Sequence, residues 1–118
     1  MNFKMDMRTL DHGLPIIDLE GEVDVYTAPQ LKQQVISVLE SGAKELIVDL
    51  TKVDYLDSTA LGVLIGGLKR MREADGNVTL VCPSPRIKRV FEITGLDKIF
   101  DIYNTQEDAQ EAIGKENI

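Results

Sequence analysis

The chain reads as an α/β protein: a mixed central β-sheet with an N-terminal hairpin and about four α-helices. Three observations carry that reading. Short runs rich in Val, Ile and Leu alternate with segments of helical spacing. The first two runs are joined by a tight turn, which makes them an antiparallel pair. Later strands are separated by helices, which implies parallel neighbours and right-handed crossovers. At 118 residues the expectation is one domain. It is assigned to residues 1–113, with residues 114–118 a frayed tail.

Residues 2–9 alternate. Phe3, Met5 and Met7 share one face, and Lys4, Asp6 and Arg8 the other, as in a half-exposed strand. Leu10-Asp11-His12-Gly13 is a turn, and residues 14–19 form the second strand. Residues 21–26 read as a connection. Thr27 is the expected N-cap of a helix with Pro29 in its first turn. Leu31, Val35, Val38 and Leu39 line that helix, and Ser41-Gly42 ends it. Residues 45–50 are mostly apolar, as expected of a strand buried on both faces.

Residues 53–57 lead into a helix that begins near Ser58 and carries Leu61, Leu64, Ile65 and Leu68 on one side. Its glycines, Gly62, Gly66 and Gly67, each cost roughly 1 kcal/mol relative to alanine. Their spacing predicts close packing of this helix against a sheet. Lys69, Arg70 and Arg72 suit its C-terminal dipole. After a break at Asp75-Gly76-Asn77 come a strand over 78–82, a helix over 86–94 ended by Gly95, and a strand over 98–103. Thr105 and Asp108 resemble the start of a capping box for a final helix through Ala112.

Twenty acids against thirteen bases give a net charge of −7 and a pI near 4.6. Binding nucleic acid would need a concentrated basic patch against that background, and an anionic membrane surface is disfavoured by the same sign. No apolar run approaches the ~18 residues that span a bilayer. The first residues lack the apolar stretch of a secretory signal. The expectation is a cytoplasmic protein that contacts neither nucleic acid nor membrane. A single cysteine, Cys82, excludes an internal disulfide and a multi-cysteine metal site, so neither metal nor cofactor is expected. No heptad or large apolar surface stands out, which predicts a monomer.

Few residues offer chemistry. His12 sits in a turn with no nucleophile or second ligand nearby in sequence. Cys82 ends an apolar strand, with no adjacent base or helix start to activate it. Asp49 lies where a phosphate-receiving aspartate would, but an acidic pair to hold magnesium is missing after the first strand. It is read as a polar residue at a strand end. Lys69, Arg70 and Arg72, and Arg86, Lys88 and Arg89, read as solvated helix faces. Asp57 or Ser58 caps a helix. A serine at that corner is exposed, at a helix end that favours anions, and can accept a phosphate. As a catalytic nucleophile it lacks a base, so no enzyme is expected.

Two segments make the chain recognisable. They are Val53-Asp54-Tyr55-Leu56-Asp57-Ser58-Thr59-Ala60-Leu61-Gly62-Val63-Leu64 and Leu19-Glu20-Gly21-Glu22-Val23-Asp24-Val25-Tyr26-Thr27-Ala28-Pro29-Gln30-Leu31. With the apolar strand between them, they resemble the STAS family over essentially the whole chain. Within it they resemble the bacterial anti-sigma factor antagonists of the general-stress and sporulation type. The resemblance implies a STAS fold. It also implies binding to an anti-sigma factor that is itself a serine kinase, which frees the sigma factor. It implies phosphorylation of Ser58, which ends binding, and a separate serine phosphatase that restores it. Thr59 is a neighbouring hydroxyl that could compete as acceptor. The implied partner surface combines Glu22, Asp24, Tyr26 and Thr27 with Asp57, Ser58, Thr59 and Leu61. The other reading is a STAS module of another signalling scaffold or of a lipid-transport complex. Many relatives have glycine where this chain has Ala60.

Overall fold

A computed structural model describes residues 2–116. Strands β1 (Phe3–Thr9) and β2 (Pro15–Val23) form the antiparallel hairpin. Its turn, Asp11–Gly13, holds both His12 and Gly13 at positive φ. The chain continues through α1 (Ala28–Glu40), β3 (Glu45–Leu56), α2 (Ser58–Glu73), β4 (Asn77–Val81), α3 (Pro85–Thr94), β5 (Asp101–Tyr103) and α4 (Gln106–Glu116). One five-stranded sheet results, in the order β1-β2-β3-β4-β5, with β2 to β5 parallel.

Because strand order follows chain order, each crossover steps in the same direction. Crossovers of one hand then place α1, α2 and α3 on one face of the sheet. That face holds the main core: Leu31, Val35 and Val38 from α1, Leu64 and Leu68 from α2, and Ile87 and Phe91 from α3. Alternation along β3 sends Leu46, Val48 and Leu50 into it and Ile47 to the opposite face. There Ile16, Ile47 and Val81 meet Ala109 and Ile113 of α4. Burial on both faces explains why the middle of β3 is almost uniformly apolar.

The structure departs from the sequence expectations at several boundaries. Residues 21–23 continue β2, and β3 runs on to Leu56. Strand pairing sets Glu22 beside Tyr55 and Val23 beside Leu56, and buries both Val23 and Leu56. The connection therefore shrinks to residues 24–27. The last strand starts only at Asp101, because Leu96–Lys98 makes a 3-10 turn. Helix α4 continues to Glu116, so residues 114–116 are helical rather than frayed; residues 117 and 118 lie outside the described residues. The glycines of α2 do not meet the sheet. A Cβ on Gly67 would lie 2.9 Å from Val35 Cγ1, so α2 packs closely on α1 there. Gly62 and Gly66 face open space.

Candidate functional site

Parallel strands place the loops that follow β2 and β3 at the same edge of the sheet. A backbone bond joins them: Asp57 N–H donates to Val23 O at 3.2 Å. The loop after β2 is built around Asp24. Its Oδ1 accepts from Tyr26 N–H at 2.9 Å and Thr27 N–H at 3.1 Å, while its carbonyl accepts from Ala28 N–H at 2.7 Å. Asp24, not Thr27, therefore organises the start of α1. Thr27 is only 2% exposed, and makes no side-chain cap. Its hydroxyl accepts from Asp24 N–H at 2.9 Å, and its single proton faces Glu22 O at 3.0 Å and Asp24 Oδ1 at 3.2 Å.

The start of α2 is arranged differently. Asp57 is extended, and its Oδ1 accepts from Ala60 N–H at 2.9 Å, which makes it the N-cap. Ser58 and Thr59 are exposed, and neither hydroxyl bonds another described residue. No acidic residue occupies the first turn of α2, so the positive end of its dipole faces Ser58 with only the Asp57 cap to offset it. A phosphate on Ser58 would meet free N–H groups there.

The expected surface residues thus divide. Glu22, Tyr26, Ser58 and Thr59 are exposed, while Asp24 and Asp57 are half-buried and hold their loops. Thr27 is inside, and Leu61, 9% exposed, belongs to the core. Two residues absent from the expected set stand out: Val25 is 55% exposed and Tyr55 50%, beside Tyr26 at 73%. Both lie within the motifs quoted above. A groove runs from Thr59 between α1 and α2, floored by Val35, Gly62 and Gly66 and rimmed by Lys32 and Arg70. It exists because Gly62 and Gly66 add no side chain.

The other candidates take structural places. Asp49 lies inside β3 rather than at its end, and is buried. It accepts from Thr51 N–H at 2.8 Å and from Gln106 Nε2–H at 2.6 Å, so it anchors the start of α4. Cys82 is buried; burial pushes its thiol pKa up, against a smaller lowering by Lys88. His12 is exposed in its turn. The basic residues do not converge on one point. Arg72 donates to Ile99 O at 2.6 Å, Arg86 to Asp54 O at 2.6 Å, and Lys88 to Asn104 Oδ1 at 2.7 Å. Among the described residues no helix is long and apolar enough to cross a membrane.

The fold and this edge define a small α/β module with an open hydroxyl at a helix start. Residues 5–109 match the STAS domain family, and the chain belongs to it. An anti-sigma-B factor antagonist from Bacillus subtilis is 38% identical over 102 residues, 86% of this chain and 92% of the relative. Its counterpart from Listeria monocytogenes is 38% identical over 106 residues, 90% and 93% of the two chains. The crystal structure of an anti-sigma factor antagonist from Mycobacterium paratuberculosis superposes with a TM-score of 0.85 at 31% identity, covering 93% of this chain and 92% of that one. The names of these relatives are those of regulatory proteins.

Proposed function

We propose that this chain is an anti-sigma factor antagonist, switched by phosphorylation of Ser58. Unphosphorylated, it binds an anti-sigma factor that is also a serine kinase, and so frees the sigma factor. The kinase phosphorylates Ser58 and binding ends; a serine phosphatase restores it. The chain acts by binding rather than catalysis, in the cytoplasm, where such a kinase meets ATP. The observation that carries the reading is the Ser58 hydroxyl, exposed and unbonded at the start of α2 because Asp57 does the capping.

The contact surface in this reading comprises Glu22, Val25, Tyr26, Tyr55, Ser58 and Thr59, with Asp24 and Asp57 setting its shape. Phosphate adds about −1.5 to −2 charges. Its own helix tolerates that charge, since acids near an N-terminus stabilise by typically 0.3–1 kcal/mol. A partner shaped around a neutral hydroxyl would have to bury it unmatched, which costs several kcal/mol. Ser58→Glu should therefore weaken kinase binding by about a hundredfold, or ~2.8 kcal/mol, in a calorimetric titration, without lowering the melting temperature. Ser58→Ala should bind normally and resist inactivation by ATP. Phosphate mapped by mass spectrometry to Thr59 alone would sink the assignment. So would loss of binding that appears only together with loss of the fold.

A further inference from the structure

Strand β1 is an edge of the sheet, bonded on one side only. We propose that it pairs antiparallel with β1 of a second copy of this chain, centred on Met5, to join two sheets into one.

The hydrogen-bond phase of the hairpin decides which groups are on offer. Glu22 N–H donates to Asn2 O at 2.8 Å, and Leu10 N–H donates to Leu14 O at 2.7 Å. The first bond lies just beyond the paired residues at one end of the β1–β2 ladder, the second at the other. Antiparallel pairs alternate between bonded and non-bonded. The even-numbered residues of β1 thus bond to β2, and Phe3, Met5, Met7 and Thr9 turn their N–H and C=O groups to the free edge. A twofold pairing centred on Met5 bonds Met5 to Met5 and Phe3 to Met7 of the other copy. Phe3 and Met5 already pack on the main core, and Met7 is 39% exposed. The apolar stripe would continue across the junction.

Charge selects this centre over its neighbours. Centring on Met5 sets Lys4 opposite Asp6 of the other copy, twice, at non-bonded positions where side chains approach most closely. Centring on Lys4 or on Asp6 sets that residue against its own copy. Centring on Met7 sets Asp6 against Arg8, whose guanidinium is already held by Asp18 and Gln106. Lys4 is held less firmly than Arg8: its one ion pair, with Glu20, is long at 3.9 Å, and its side chain is 78% exposed. Asp6 faces Asp18 across the hairpin and gains a cation from the pairing. The antiparallel arrangement sends the two Ser58 edges to opposite ends, so both stay open.

Sedimentation equilibrium from micromolar to millimolar concentration tests this. The wild-type mass should rise from 13.1 kDa towards twice that value. Lys4→Glu and Asp6→Lys each turn two attractive pairs into repulsive ones, and each should weaken self-association by about tenfold. Both sites are exposed, and circular dichroism should confirm the fold is unchanged. Mixing the two single variants sets opposite charges against each other again and should restore the heavier species. A wild type that stays at 13.1 kDa throughout overturns the proposal. So does a Lys4→Glu variant that associates like wild type, or a mixture that fails to recover.

Discussion

The starts of α1 and α2 use the same ingredients, an acid and a hydroxyl within a few residues, at the same edge of the sheet. At α1 the acid and the hydroxyl bond each other and the surrounding backbone, and Thr27 is sealed inside. At α2 the acid caps alone and both hydroxyls stay outside without a described partner. Spacing makes the difference. Asp24 precedes its helix by several residues, so a turn forms in which Thr27 must fold inward. Asp57 abuts its helix, so Ser58 already has helical geometry and its side chain points away. A hydroxyl at a helix start is open to chemistry when a neighbour does the capping in its place.

Substitutions can break that contrast. The largest expected stability effect is at Thr27. Thr27→Val keeps the shape but leaves the part-buried Asp24 N–H without its acceptor, and should cost about 1–3 kcal/mol in chemical denaturation. A neutral result would mean that water replaces the hydroxyl. Next comes Asp57→Ala, which removes the α2 cap and should cost about 1 kcal/mol, with Asp57→Asn recovering most of it. Ser58→Ala should lie within about 0.5 kcal/mol of wild type, because its hydroxyl holds nothing. A larger loss at Ser58 than at Asp57 would reverse the capping assignment. At Asp24, charge and structure separate by comparing Asp24→Asn, which keeps the acceptor, with Asp24→Ala, which removes it. Partner affinity should follow the charge in the first and the loop geometry in the second.

Most of this architecture was legible in sequence, and the misreadings share physical causes. The N-terminal hairpin is plain because Phe3, Met5 and Met7 alternate with charges. The far ends of β2 and β3 were not, because burial along β3 after Leu50 returns only at Val53 and Leu56. Register shifts near Asp18/Glu20 and Gly21/Glu22 break the period of two, so the pattern resembles a polar loop. The glycines of α2 indicate close approach, but periodicity cannot say to what. Only Gly67 meets a neighbour, and that neighbour is a helix. Ser58 could be singled out because its motif is local in sequence. Tyr55 and Val25 could not, because their exposure depends on how β2 and β3 end side by side.

The bond from Asp57 N–H to Val23 O has a consequence in time. It is a backbone link just beyond the last paired residues of β2 and β3, and its proton is protected from exchange with solvent while the bond is made. The exchange rate of that single amide therefore works as a clock for the opening of the edge. A ligand gripping either loop would slow it, even if no side chain of the other loop were touched.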